Sequence, residues 1–360
     1  MKKLYSLLLT IIAFTGFAQI PAGYYNTATG TGYTLKTQLY NIINGHDDKG
    51  YAGLYTTYLT SDKDFFYENN GTMLDMYIEN PTGTDLCEYT YGINQDDGSG
   101  GTEECQKYNR EHLIPQAVFG SAPPMYSDAH FVVPADKYLN GARGNLPFGR
   151  IDVANLVSSN GTKRGSNLNS GYSAGYSGTV FEPIDEFKGD IARMILYFAT
   201  RYQNVVGGYS YDMFNGTSNQ VFTSNAINVL LTWHNQDPVS NREISRNNAI
   251  YNRQDNRNPY IDHPEYAMSI WGSLLSTTSF SMLEAVTIYP NPATGNNINI
   301  ATETVLDEIE LISINGQIIQ KMKNPLSSNN TYLIENLSPG FYFIKLSSNE
   351  GSVTKKIVVN

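Results

Sequence analysis

Apolar side chains recur along this chain at two different periods. Leu35, Leu39, Ile42 and Ile43 fall at helical spacing, so a helix is predicted from Leu35 to Ile43. A second is predicted from Ile184 to Tyr202, where Ile191, Met194, Ile195 and Phe198 form a stripe opposite Lys188, Asp190 and Arg201. Further helices are expected near Asn225 to Asn235 and from Asn241 to Tyr251. Between Ser158 and Gly178 the chain is rich in Ser, Asn and Gly and reads as a long surface loop. After about Met282 short β-rich runs take over: Val286 to Tyr289, Ile298 to Ala301, Glu308 to Ile314, Thr331 to Ile334, Gly340 to Leu346 and Thr354 to Val359. Pro290-Asn291-Pro292 and Ser338-Pro339-Gly340 punctuate them, and Asn315-Gly316 is a hairpin-turn signal. The expectation is an α+β protein: a mixed, helix-rich unit followed by a small all-β sandwich.

The first residues follow another pattern. Met1-Lys2-Lys3, an apolar stretch from Leu4 to Phe14 and then Gly16-Phe17-Ala18 give the basic, apolar, small-residue order of a secretory signal peptide over residues 1–18. The apolar run is too short to span a bilayer, so an exported protein without stable membrane insertion is expected, its mature form starting near Gln19.

Composition adds three constraints. The 360 residues suffice for one large unit and one small one, and 27 tyrosines exclude a disordered chain. The two cysteines, Cys87 and Cys105, flank a Gly-rich loop. Pairing them in an oxidising compartment would stabilise the fold by about 3 kcal/mol, while two lone thiols remain the alternative. The net charge of -10 argues against a protein that coats DNA through a broad basic surface. Locally the sign reverses: from Arg110 to Arg164 six positive residues (Arg110, Lys137, Arg143, Arg150, Lys163, Arg164) face four negative ones (Glu111, Asp128, Asp136, Asp152).

The chemistry concentrates in three neighbouring blocks: Asn109-Arg110-Glu111-His112-Leu113-Ile114-Pro115-Gln116, Asp128-Ala129-His130 through Pro134, and Asn140-Gly141-Ala142-Arg143-Gly144-Asn145. A zinc peptidase would place two histidines at helical spacing around a glutamate, and none do. Phosphodiester hydrolysis needs a base for water, a hard cation at the phosphate and oxygen ligands for that cation. The unperturbed pKa of an imidazole lies near neutrality, so His112 can serve as the base. Glu111 and Asn140 are oxygen donors suited to Mg²⁺, with Mn²⁺ or Ca²⁺ as alternatives. Arg143 can hold a phosphate oxygen. Glu111 and His112 would face opposite sides of a regular strand, so the strand must twist or end there. Pro134 to Arg143 is predicted to be a short helix with Pro134 in its first turn.

These blocks resemble the bacterial endonuclease I family, secreted nucleases with a ββα-metal site. The likeness extends from about Ile20 to Gly272 through Phe181-Glu182-Pro183, Trp233-His234, Asp237-Pro238, Arg242-Glu243 and Asn256-Arg257-Asn258-Pro259. It implies a ββα-metal nuclease core, His112 as general base, Glu111 and Asn140 as metal ligands, and 5′-phosphate and 3′-hydroxyl products from DNA, RNA or both. For Arg143 and Asn145 it suggests phosphate binding or support of the loop. An arginine that the family carries on the intervening loop has no counterpart between Gly120 and Ser127, which leaves its role to Arg110, Arg143 or Arg150. The last 75 or so residues resemble the sorting domain of the type IX secretion system, on Ile288-Tyr289-Pro290-Asn291-Pro292, Leu337-Ser338-Pro339-Gly340-Phe341-Tyr342 and Lys355-Lys356-Ile357-Val358-Val359. This implies type IX machinery as a partner and an extracellular or cell-surface location. The expected organisation is a signal peptide over 1–18, a catalytic domain over 19–282 and a sorting domain over 283–360.

Other residues carry plainer readings. His46 is expected on the surface, His130 to orient or pack, and His234 and His263 to hydrogen-bond within the core. Arg242, Arg246, Arg253 and Arg257 either line a nucleic-acid groove or pair with Glu243, Asp255 and Asp262. A secreted adhesin with a vestigial Glu-His site, and a hydrolase of other phosphodiesters, are the competing functions.

Overall fold

The computed structural model describes residues 20–275, 286–314, 317–348 and 351–360. The signal-peptide reading, the change at Met282 and the Asn315-Gly316 turn lie outside the described residues. Two separate hydrophobic cores are present, one built from Leu35 to Trp271 and one from Val286 to Val359.

The first core is surrounded mainly by helices. α1 (Gly32–Ile43) buries Leu35, Leu39 and Ile43 along one stripe, as its spacing predicts. α2 (Gly50–Ser61) was not legible as a helix: its buried face is Leu54, Tyr55 and Tyr58, set among Gly and Thr of weak helix propensity. A two-stranded antiparallel ribbon follows, β1 (Tyr108–His112) paired with β2 (Val132–Asp136), and leads directly into α3 (Lys137–Arg143). The helix starts later than predicted, because Asp136 caps it by accepting from the Leu139 N–H at 2.8 Å, and Pro134 belongs to β2 opposite Arg110. The Lys137 N–H to Lys107 carbonyl and Leu113 N–H to Phe131 carbonyl bonds set the alternation of the ladder. Arg110 and Pro134 then form a non-hydrogen-bonded pair, where the missing proline N–H breaks no ladder bond.

The expected surface loop between Ser158 and Gly178 is corrected by a strand. β3 (Ile151–Val157), β4 (Lys163–Asn167) and β5 (Thr179–Glu182) form an antiparallel sheet with β4 in the middle. Gly165 explains how so polar a segment enters a sheet: at an irregularity in the β3–β4 register, a Cβ here would sit 2.1 Å from the Val153 carbonyl oxygen.

α4 (Lys188–Arg201) is buried on nearly every face. Its polar residues survive there in ion pairs: Arg193 with Glu243 at 2.5 Å, and Asp190 with Arg193 and Arg242. α5 (Ser224–Gln236) packs beside it, and α6 (Asn241–Gln254) starts in a capping box between Ser240 and Glu243. α7 (Pro259–Asp262) and α8 (Glu265–Leu275) complete the unit.

The C-terminal region is all β. β6 (Thr287–Tyr289), β7 (Ile298–Ala301) and β10 (Thr331–Ile334) make one sheet, while β8 (Glu308–Ser313), β9 (Ile318–Lys323), β11 (Gly340–Ser348) and β12 (Gly351–Val359) make the other. Alternate residues such as Ile298, Ile300, Ile344 and Leu346 face the second core.

Candidate active site

A cavity of about 560 Å³ opens where β1, the residues after it and α3 meet. Its lining includes Tyr51, Asn109, Arg110, Glu111, His112, Asn140 and Asn145. Five of these are site residues expected from the sequence, and β1 ends at His112, which lets Glu111 and His112 reach one space.

Glu111 is buried and held by hydrogen bonds. Its Oε1 accepts from the Tyr77 hydroxyl at 2.9 Å and from Arg143 Nη1 at 3.0 Å, and the His112 backbone N–H also favours the charged carboxylate. Burial raises the pKa of this carboxyl, against the pull of Arg143 and Tyr77. Asn140 donates its Nδ2 to Asn109 Oδ1 at 2.7 Å and to the Arg110 carbonyl at 3.5 Å, which leaves its amide oxygen for the cavity. The donors at the cavity are therefore a carboxylate and an amide oxygen, the hard ligands that a divalent cation such as Mg²⁺ prefers.

His112 Nε2 lies 3.1 Å from the Tyr126 carbonyl oxygen. A carbonyl can only accept, so Nε2 carries the proton and Nδ1 keeps its lone pair. The ring stacks with Tyr126 at 5.5 Å between centroids, and Tyr126 stacks on Tyr51. Burial holds the imidazole down to about 4, partly countered by the Tyr126 carbonyl and reinforced by the charge of Arg110. At neutral pH it is an unprotonated base.

The cations differ from expectation. Arg143 is fully buried and all five of its N–H groups are committed: Nε to the Leu146 carbonyl, Nη1 to Glu111 and the His112 carbonyl, and Nη2 to the Leu113 carbonyl and the Tyr211 hydroxyl. No donor remains for a phosphate, so its place is that of a brace behind Glu111 and the end of β1. Arg150 packs over the Tyr172 ring and is not among the cavity-lining residues. Lys137 reaches the cavity but is paired with Asp96 at 2.8 Å. Arg110 lies at the cavity wall, its guanidinium 3.5 Å from the centre of the Tyr51 ring and 4.3 Å from that of Tyr55.

The endonuclease I family model matches residues 31–265 of this chain. The chain belongs to the endonuclease I family. The secretion system C-terminal sorting domain matches residues 287–360. Two curated relatives, the extracellular ribonucleases of Bacillus amyloliquefaciens and of Bacillus subtilis (strain 168), are each 35% identical over 253 residues, covering 69% of this chain and 78% of theirs. A solved structure of PorZ, described as a bacterial surface component of the type-IX secretion system of Porphyromonas gingivalis, covers 23% of this chain and 12% of its own at 16% identity. Its TM-score of 0.19 carries no argument. This member of the endonuclease I family is thus a secreted nuclease with a type IX sorting domain, and nucleases of the family are generally metal-dependent. Among the described residues no helix is long and apolar enough to cross a membrane.

The endonuclease I unit carries further supports that sequence reading missed. Tyr77 holds Glu111, the Tyr126 carbonyl fixes the His112 tautomer, Asn109 orients Asn140 and Tyr51 stacks on Arg110. Asn109 sits inside the Glu-His block and could have been named; Tyr77 lies 34 residues from Glu111 and left no local signal. Cys87 and Cys105 form a disulfide. His130 is buried against Tyr197 with Nε2 3.0 Å from the Asn256 carbonyl, and His234 makes a similar bond to the Pro264 carbonyl. His46 departs from its surface reading: it is half-buried, and its Nδ1 accepts from Arg201 at 3.0 Å. His263 is half-buried outside the core, 3.0 Å from Glu265. The groove reading fails for Arg242, Arg246 and Arg257, which are buried in ion pairs with Asp190, Asp62 and Asp262, while Arg253 donates to Thr57 Oγ1.

Proposed function

We propose that this secreted nuclease hydrolyses phosphodiester bonds of DNA, RNA or both with little sequence specificity, and that β1, β2 and α3 are its ββα-metal core. The observation that carries the reading is the convergence of the Glu111 carboxylate, the Asn140 amide oxygen and an unprotonated His112 on one cavity. Glu111 and Asn140 are assigned as ligands of Mg²⁺, with Mn²⁺ or Ca²⁺ as substitutes. When bound, the cation would neutralise charge developing on the phosphate and the leaving oxygen. His112 Nδ1 takes the proton of the attacking water, and the bond from its Nε2–H to the Tyr126 carbonyl keeps the ring in the tautomer and orientation for that transfer. Arg110, held flat by Tyr51, and Asn145 are assigned to the substrate phosphates; Arg143 positions Glu111 rather than touching substrate. RNA deserves equal weight with DNA because both curated relatives are named ribonucleases. The organisation proposed is a signal peptide over 1–18, a catalytic domain over 19–282 and a sorting domain over 283–360.

Digestion of closed circular DNA and of structured RNA, with Mg²⁺ and with EDTA, tests the assignment. Cutting of the closed circle should require both metal and His112. His112→Ala should remove activity while leaving folding and metal binding intact, and an active His112→Ala enzyme would sink the mechanism.

A further inference from the structure

From Asp62 to Lys107 the endonuclease unit runs without a helix or a strand, tied by isolated bridges and the Cys87–Cys105 disulfide. A segment far longer than the roughly 12–15 residues usual for an unstructured connection needs other ties. Within it, Glu68, Glu79 and Asp85 each bring one carboxylate oxygen to within 4.8 Å of the others. Glu79 is 2% exposed, yet its Oε1 has no hydrogen-bond partner; the Oε2 of Glu68 is likewise buried and unpartnered. Asp64, fully buried with its Oδ2 also unpartnered, is close enough for its charge to act on both Glu79 and Asp85. The ion pairs of the described residues all lie elsewhere.

Buried carboxylates are ordinarily paired or bound to a metal, because an ionised group without compensation is costly to bury. Three converging carboxylates, backed by a fourth and in no ion pair among the described residues, are a cage of hard oxygen donors. We propose that Glu68, Glu79 and Asp85 hold a divalent cation, Ca²⁺ in preference to Mg²⁺, at a site separate from the cavity of Glu111 and Asn140. The number of carboxylates favours Ca²⁺, which takes about 6–8 oxygen ligands, over Mg²⁺, which keeps several waters and is usually bound by one or two carboxylates. Glu68 and Asp85 are half-buried, so the ion has a path in and room for waters. The site has a consequence for the cavity. Glu79 is two residues from Tyr77, the hydroxyl that holds Glu111, and Asn160 Nδ2 bonds the Glu79 carbonyl at 3.0 Å while Ser158 Oγ bonds that of Tyr77 at 3.2 Å. A cation here fastens the segment that supports the catalytic carboxylate.

The test is Ca²⁺ binding by calorimetry, with thermal melting alongside, on the chelator-stripped full-length protein and on Glu79→Gln, Asp85→Asn and Glu111→Gln. Wild type should bind one more Ca²⁺ than Glu79→Gln, and Glu111→Gln should keep that ion. Asp85→Asn, at a half-exposed position that can tolerate the change should Glu79→Gln fail to fold, should weaken the site at least tenfold. Ca²⁺ should raise the Tm of wild type and Glu111→Gln by more than equimolar Mg²⁺ does, and this difference should vanish in Asp85→Asn. Equal Ca²⁺ stoichiometry and affinity in wild type and Asp85→Asn would overturn the proposal, as would a Ca²⁺-dependent Tm rise that disappears in Glu111→Gln alone.

Discussion

Replacing Tyr77 by Phe deletes one oxygen atom and nearly nothing else. That oxygen donates to Glu111 Oε1 at 2.9 Å, in a spot where both residues are buried. Burial, together with the neighbouring Glu111 charge, keeps the hydroxyl protonated, so it is a donor at every working pH. A hydrogen bond to a charged group contributes about 1.5–3 kcal/mol, and the phenyl ring fills the same volume, so no cavity cost is added. Against the roughly 5–15 kcal/mol of a typical domain, the variant stays folded. Arg143 remains on the same oxygen at 3.0 Å, so the carboxylate keeps its charge partner and loses one of two orienting side-chain contacts. Groups that orient a metal ligand from behind typically change metal affinity or activity by about 10- to 100-fold. The expected result is a Mg²⁺ midpoint for nicking of circular DNA raised by about that factor, with the rate at saturating Mg²⁺ largely restored. A urea titration on the same samples supplies the control, with stability down by about 1.5–3 kcal/mol. A Tyr77→Phe enzyme that loses this stability while its Mg²⁺ midpoint stays within twofold of wild type would refute the claim that Tyr77 sets the ligand geometry.

Three other perturbations have outcomes fixed by these contacts. Glu111→Gln and Asn140→Ala should each weaken Mg²⁺ binding at the cavity, so an unchanged Mg²⁺ titration in either would remove that residue from the ligand set. Serine at both Cys87 and Cys105 should cost about 3 kcal/mol, a fall in Tm of roughly 6–12 °C for a unit of this size, measured in a thermal scan beside wild type. Asp190→Asn strands Arg242, while Arg193 keeps Glu243, and should cost about 3–5 kcal/mol at pH 7. Burial opposes ionisation of Asp190, but Arg242, Glu243 and Arg193 together outweigh it and hold the folded pKa below the usual carboxylate range. The stabilisation is therefore present above the unfolded value of about 3.9 and fades as pH falls through the folded one, so wild type and variant should converge only in strong acid.

What could be read from the sequence, and what could not, divides along physical lines. α1 was legible because Leu35, Leu39 and Ile43 form a buried stripe at helical spacing, and the β runs of the C-terminal region because alternation and turn residues mark them. α2 escaped because tyrosines with threonine and glycine between them carry no aliphatic period, and β4 because a polar, Gly-containing strand looks like loop until the close approach at Gly165 is seen. In the site, Glu111, His112 and Asn140 were named from their neighbours in the chain, while their supports Tyr77 and Tyr126 act across long separations, one of them through a backbone carbonyl that every residue possesses.

Arg143 shows a deeper limit. A sequence gives the charge of an arginine but not the destinations of its five donors, and here all five turn inward. Of the positive residues counted from Arg110 to Arg164, Lys137 is cancelled by Asp96 from outside that stretch, and Arg143 is spent on Glu111 inside it. Farther along, Arg193, Arg242, Arg246 and Arg257 are also buried against carboxylates. The cation left at the cavity wall without a carboxylate partner among the described residues is Arg110, and it is pinned between aromatic rings rather than free to follow a ligand. In the function proposed, such a site would grip a phosphate by placement more than by field, which is how an acidic protein could hold a polyanion at one point and still release it.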